Sequence, residues 1–322
     1  IEEQIEARLR EDWDRPTGDA VGRIVSDDTA DSEYVAHLLS SISVPLDPIT
    51  VVVDGANGAA SLVGPVTYRE AGADVIEIHC RPDGYNINDG CGSTHMEDLQ
   101  RAVLEHGADL GIAHDGDADR CLAVDARGQL VDGDQLMAII ALSLRDQARL
   151  VKDTVVATVM ANLGFKQAMQ REGIEVVETA VGDRYVLEAM LESGYILGGE
   201  QSGHVVMTEH ATTGDGILTA LQVMSRMAAT GKSLAELASV MDRLPQVLVN
   251  VAGVDKNAVD SNAAVAQAVA AAESRLGDSG RVLLRKSGTE PLVRVMVEAR
   301  DEVTAETVAA ELADVVRAEL SL

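Results

Sequence analysis

Three aspartates stand at alternate positions in LGIAHDGDADRC (Leu110–Cys121): Asp115, Asp117 and Asp119, with Arg120 directly after them. Like charges this close repel unless something neutralises them, and hard carboxylate oxygens suit Mg²⁺. Alternation aims all three carboxylates at one point if the loop curls. An EF-hand calcium loop is excluded by position, since Arg120 stands where it needs Gly and Ala126 where it needs Glu. Mg²⁺ keeps positions for water or phosphate oxygens, so three carboxylates describe a site awaiting a phosphate, with Arg120 as its clamp. The bland alternative is a solvated acidic turn.

Three further loops carry usable groups. GEQSGH (Gly199–His204) offers a carboxylate, a hydroxyl and an imidazole on a Gly-flanked loop, and Glu200 and Ser202 could bind vicinal sugar hydroxyls. RKSGTEPLVR (Arg285–Arg294) sets Ser287, Gly288 and Thr289 in a tight turn between Arg285 and Arg294, a nest for a substrate phosphate. Its plain alternative is a hairpin turn ended by Pro291 with solvated arginines. VGDRYV (Val181–Val186) is weaker, because Asp183 reads equally as a helix N-cap and Arg184 as surface. His95, in CGSTHM, reads as a loop histidine.

The elements that position these loops form a repeat. ITVVVDGANGAA and TVVATVMANLGFKQAM are β-branched runs leading through a turn into a helix. REAGADVIEIH is then matched by REGIEVVETA, and LEHGADLGIAHDGDADR by LESGYILGGEQSGH. The distance between corresponding residues shrinks from the Asn57–Asn162 pair to the Asp115–Glu200 pair, so the first copy carries an insertion, read as RPDGYNINDGCGSTHM. The expected fold is α/β: two similar, mostly parallel α/β domains in tandem plus a small C-terminal α+β domain. The boundaries are a helix and connector over 1–42, α/β domains over 43–145 and 146–243, and the α+β domain over 244–322. Ligands of such sheets sit at strand C-termini, where both copies carry their oddest loop.

Composition narrows the partners. Against 26 Lys and Arg stand 53 Asp and Glu, a formal charge of −27, which opposes a nucleic-acid backbone or an anionic membrane as partner. An anionic substrate then requires a site that concentrates its own cations. Aromatics are 2%, so the cores must be aliphatic. Cys80, Cys91 and Cys121 are odd in number and irregular in spacing, which suits free thiols in a reducing, cytoplasmic compartment. The apolar run LMAIIALSL is far shorter than a membrane span of ~20 residues.

These loops, in this order, resemble the phosphohexomutase family from about residue 43 to the end. PDGYNINDGCGSTHM, VGDRYV and Gln201 resemble its amino-sugar branch. The resemblance implies three α/β domains followed by an α+β domain. It implies interconversion of glucosamine 6-phosphate and glucosamine 1-phosphate through a phosphoserine and a sugar bisphosphate, in amino-sugar nucleotide and cell-wall precursor synthesis. On that basis Asp115, Asp117 and Asp119 would hold Mg²⁺, with Arg120 beside the transferring phosphoryl group. Glu200, Ser202, His204 and Arg184 would contact the sugar, and Arg285, Ser287, Gly288, Thr289 and Arg294 the phosphate not being transferred. A homodimer is compatible with it.

The family's Thr-Ala-Ser-His-Asn-Pro nucleophile motif has no match here, Ser93 and Ser202 being the nearest imitations. The expectation is therefore a chain lacking most of an N-terminal domain, inactive alone, its general acid/base unassigned. The alternatives are phosphomannomutase/phosphoglucomutase activity, or a noncatalytic sugar-phosphate-binding fragment. An Asp-x-Asp phosphatase with Asp115 as nucleophile is disfavoured by Asp119.

Overall fold

The computed structural model describes residues 1–322 except Asp28, Gly288 and Thr289, and except the side chains of Glu2 and Glu3. It divides into two compact units, Ile1–Tyr34 and Val35–Leu322. The first contains helix α1 (Glu2–Leu9) and a short 3-10 turn at Gly18–Ala20, and its described residues are all exposed. Helix α2 (Ala30–Leu39) leads out of it and buries Val35 and Leu38.

In the second unit, β1 (Thr50–Asp54), α3 (Ala60–Glu70), β2 (Asp74–Ile78), α4 (Glu97–His106) and β3 (Leu110–His114) form the first repeat, completed by β4 (Cys121–Asp125) and β5 (Leu130–Val131). Its strand order is β2-β1-β3-β4-β5, parallel across β2, β1 and β3 and antiparallel beyond. Then come α5 (Gly133–Asp146), β6 (Thr154–Thr158), α6 (Leu163–Arg171), β7 (Glu175–Thr179), α7 (Asp183–Ser193), β8 (Leu197–Gly199) and β9 (Val205–Met207). The order β7-β6-β8-β9 repeats the first sheet's pattern, parallel and then antiparallel. The repeat read from the sequence is thus a repeat of topology. The insertion is also visible: residues 79–96 separate β2 from α4, whereas only 180–182 separate β7 from α7.

Val51–Val53 and Val155–Ala157 are fully buried, as continuous apolar runs must be in parallel strands covered on both faces. Helix α5 is LMAIIALSL with its N-terminal turn. Leu136 through Ala141 are all buried, because α5 packs against β4, β8 and helix α8 (Gly216–Thr230) at once. A helix apolar all round belongs inside a protein or a membrane, and this one joins two sheets into one core. No described helix is long and apolar enough to cross a membrane.

After the short helix α9 (Leu234–Ala238), the chain forms β10 (Gln246–Ala252), α10 (Ala263–Leu276), β11 (Gly280–Lys286), β12 (Leu292–Ala299) and α11 (Glu302–Leu320). The sheet β10-β12-β11 is antiparallel, and α10 and α11 cover it around a separate valine-rich core. Glu298 on β12, wholly buried, docks this sheet onto the second one. Its carboxylate accepts from Arg281 Nε at 2.6 Å and Leu163 N at 2.9 Å, and from Asn162 Nδ2 at 3.3 Å.

Candidate functional site

Strand β3 is buried at every residue and runs parallel to β1, so its end delivers Asp115 to the C-terminal edge of the sheet. β4 returns antiparallel from Cys121, leaving residues 115–120 as a tight loop with Ala118 in the left-handed region at φ 64°. The loop is braced from below. Ala59 N donates to Gly116 O at 2.9 Å, and a Cβ on Gly58 would overlap that carbonyl. Gly116 in turn sits under Ile87 and Asn88 of the insertion.

Carboxylate oxygens of Asp115, Asp117 and Asp119 lie within 4.8 Å of one another. Burial pushes the Asp115 carboxyl up from the ordinary 3.8, with the hydrogen bond and charge of Asp119 adding to it. Arg120 Nε stands 3.6 Å from Asp115 and 3.7 Å from Asp119, close enough to attract but beyond a hydrogen bond. Asp119 Oδ1 and Arg120 Nε are both buried without a hydrogen-bond partner. Three converging hard oxygens, one of them orphaned, fit Mg²⁺, which would leave positions for phosphate oxygens.

The Gly199–His204 loop of the second repeat is stitched directly to this one. Arg120 and His204 form an antiparallel bridge, Cys121 N donates to Gly203 O at 3.0 Å, and Gly216 N donates to Ala118 O at 2.9 Å. Gly133 N also donates to Gln201 O at 3.1 Å. The seam leaves no room for side chains: a Cβ on Gly203 would overlap the Cys121 carbonyl, and one on Gly216 the Arg120 carbonyl. The two loops are therefore one rigid body.

His204 is buried. Its Nε2 accepts from Gly214 N at 3.2 Å and lies 3.6 Å from Asp119 Oδ2, while its Nδ1 has no partner. Ser202 Oγ and Gln201 Nε2 are likewise buried and unpartnered. Glu200 accepts from Gly182 N at 3.2 Å, which brings VGDRYV against the loop. Arg184 itself bonds Glu188 at 2.8 Å along α7 and is 66% exposed. Gly182 rather than Asp183 is the N-cap of α7. Beside Glu200, Gln201 and Ser202 opens a cleft of about 380 Å³, lined also by Thr158, Met160, Asp132 and Arg243. Asp132 caps α5 and faces Arg243 Nε at 3.2 Å; burial pushes its carboxyl up despite the arginine.

The third loop lies in the C-terminal sheet. Arg285 and Arg294 are direct cross-strand partners on β11 and β12. Like charges opposite each other are destabilising, and Glu290 Oε2, 3.8 Å from Arg294 Nη2, offsets part of that repulsion. Arg294 Nε is buried without a partner. Ser287 departs from the expected nest: its N–H is committed to Leu292 O at 3.0 Å, and its hydroxyl accepts from Glu290 N at 3.1 Å. Its backbone is therefore not a phosphate donor, because closing the hairpin uses it. Gly288 and Thr289 lie outside the described residues. Lys256, which the motif reading missed, holds the turn through Ser287 O at 2.6 Å and Glu290 O at 3.0 Å. His95 is a loop residue bonded to Thr94 at 3.1 Å. Asp132 and Arg243 were also missed; the capping box Asp132–Gln135 was the available signal for the first.

Family models for phosphoglucomutase/phosphomannomutase match this sequence of sheets: alpha/beta/alpha domain II over residues 32–128, alpha/beta/alpha domain III over 132–244, and the C-terminal domain over 248–315. The chain belongs to that family, the phosphohexomutases. Within it, the chain is 61% identical to a phosphoglucosamine mutase of Streptomyces griseus and 62% to one of Nocardioides sp., aligned over 99% and 100% of its own length. It spans 72% of each of those proteins. Two solved structures share the fold at lower identity. A phosphoglucomutase/phosphomannomutase family protein of Burkholderia thailandensis superposes with a TM-score of 0.74 at 21% identity, over 91% of this chain and 66% of that one. An Aspergillus fumigatus N-acetylphosphoglucosamine mutase, in complex with GlcNAc-6P and magnesium, gives 0.69 at 23%, over 88% of this chain and 68% of its own.

Proposed function

We propose that this chain carries the metal-, sugar- and phosphate-binding parts of a phosphoglucosamine mutase, which interconverts glucosamine 6-phosphate and glucosamine 1-phosphate through a bisphosphate. The observation that carries the reading is the seam itself. Asp119 Oδ1, Arg120 Nε, Ser202 Oγ and His204 Nδ1 are all buried without hydrogen-bond partners on two loops locked together. Buried polar groups are seldom left unpaired, so water, an ion or a ligand must complete them, and a sugar phosphate with its cation could complete this set together.

In this reading Asp115, Asp117 and Asp119 hold Mg²⁺, which when bound neutralises charge on the phosphoryl oxygens. Arg120, fixed beside two of the aspartates, adds a donor on the same side, and such preorganised charge is most of phosphoryl-transfer catalysis. Glu200 and Ser202 orient sugar hydroxyls, and His204 presents its unpartnered Nδ1 on the same loop. Arg285 and Arg294 take the distal phosphate, their mutual repulsion relieved by its charge. Arg184 lies in the first turn of the helix whose N-cap, Gly182, donates to Glu200, and would reach the sugar from there. A bisphosphate needs phosphate sites at both ends of the sugar; the aspartate loop, with Mg²⁺ and Arg120, would supply one, and the loop of Arg285 and Arg294 the other.

Calorimetry on the purified chain with glucosamine 6-phosphate tests this, with and without Mg²⁺. Binding that Asp117→Asn weakens only when Mg²⁺ is present, and Arg285→Gln weakens in either case, is expected. Equal affinity for mannose 6-phosphate would move the substrate to the phosphomannomutase/phosphoglucomutase branch. No sugar-phosphate binding at all would overturn the reading.

A further inference from the structure

His114 is the last residue of β3, immediately before the aspartates, and nothing in the chemistry above uses it. It is completely buried. Its Nδ1 lies 3.1 Å from the Arg120 carbonyl and its Nε2 lies 2.9 Å from the hydroxyl of Tyr68, itself completely buried on α3. A carbonyl only accepts, so Nδ1 carries the proton and donates, and in the neutral ring Nε2 accepts from the tyrosine. The Arg120 peptide is thereby held at both ends: its N–H donates to Asp115 Oδ1 at 3.1 Å and its C=O accepts from His114. Gly216 gives the ring its space, since a Cβ there would come within 2.7 Å of His114 Nδ1.

We propose that His114 is a positioning residue, an imidazole strut that closes the aspartate loop across its base and sets Asp115 and Arg120 for the cation and the phosphate. The proposal rests on the metal reading above for its consequence, but not for its geometry. A leucine or phenylalanine would fill the same apolar space. Neither could hold the Arg120 carbonyl, so packing alone does not account for the side chain present.

The test uses the full chain and two readouts. In metal-free protein, amide exchange of residues 118–121 reports the loop directly; separately, Mn²⁺ affinity is measured by calorimetry and electron paramagnetic resonance. His114→Leu removes both hydrogen bonds, Tyr68→Phe removes the Nε2 bond and leaves the one at Nδ1, and His114→Asn restores an N–H near the Nδ1 position. Losing one hydrogen bond that fixes a ligand corresponds to about a tenfold effect. His114→Leu should speed loop exchange and weaken Mn²⁺ about tenfold, while His114→Asn and Tyr68→Phe, which both keep a donor to the Arg120 carbonyl, should each retain most of both. If His114→Leu does not fold, His114→Gln, whose amide can reach Tyr68 but not the Arg120 carbonyl, takes its place in the comparison with His114→Asn. Loop exchange as in the unmodified chain, or equal losses in the Leu and Asn variants, would overturn the proposal. Absence of Mn²⁺ binding in the unmodified chain would sink the metal reading instead, with loop exchange still deciding the strut.

Discussion

Removing the carboxylate of Glu298 should unfasten the C-terminal sheet from the rest of the molecule. Glu298 has no exposed side-chain surface and Arg281 has 16%. The carboxylate accepts four hydrogen bonds: from Arg281 Nε at 2.6 Å and Nη2 at 3.2 Å, Leu163 N at 2.9 Å and Asn162 Nδ2 at 3.3 Å. Glu298→Ala leaves a nearly buried guanidinium facing the carbonyls of Val159 and Ala161 and orphans Leu163 N, while Asn162 Nδ2 keeps its bond to Leu244 O at 3.0 Å. Breaking one side of such a pair costs about 3–5 kcal/mol. Arg281→Ala should cost less, about 2–3 kcal/mol, because Leu163 and Asn162 still donate to the carboxylate. Glu298→Gln is instructive, since its amide group must point at two donors whichever way it turns. Urea unfolding followed by circular dichroism should show the C-terminal domain releasing as an earlier transition in Glu298→Ala. In a double-mutant cycle with Arg281→Ala, the two losses should be non-additive by about 1.5 kcal/mol or more. Additivity within about 0.5 kcal/mol would refute the argument, because it would mean that the two groups are satisfied independently.

Two further outcomes follow from the same geometry. Burial first, and then the charge of Asp132, push the Asp134 carboxyl well above 3.8, so the folded chain binds a proton there that the unfolded chain releases. Stability is therefore lost as pH rises from 3.8 through the folded value; Asp134→Asn, which keeps an acceptor for Asn162 N, should melt several degrees higher at neutral pH, the advantage vanishing below 3.8. Equal melting differences at both pH values in calorimetry would contradict this. Gly203→Ala meets φ 94° and the Cys121 carbonyl together, and should cost about 2–4 kcal/mol while weakening sugar-phosphate binding. Gly231→Ala, at φ 66° with open space around it, should cost only about 1–2 kcal/mol and leave binding alone.

What the sequence displayed and what it hid divide along a physical line. Side-chain charge at fixed spacing is local, so Asp115, Asp117 and Asp119 could be grouped before any fold was known, as could Arg285 with Arg294. The repeat was legible because β-branched runs and helix starts recur in order. The seam was not, because a backbone bridge such as Arg120 to His204 uses groups that every residue carries. Its only trace is the glycines at 133, 203, 214 and 216, whose meaning depends on which backbone approaches them. His114, Lys256, Arg243 and Arg281 escaped for the same reason, since each acts on a partner remote in sequence or on a carbonyl.

On the proposed function, the insertion explains why two copies of one topology would do different work. In the first copy, residues 79–96 fold back against the aspartate loop: Asn88 N donates to Ala56 O at 2.9 Å, and Ile87 and Asn88 pack against Gly116. In the second copy, 180–182 are too few to cover anything, and Val181 and Glu200 border an open cleft instead. Held charge needs rigid support on every side, whereas a sugar needs an entrance. A single insertion in one copy would supply the first without closing the second, and the glycine seam joins the braced loop to the open one by backbone hydrogen bonds.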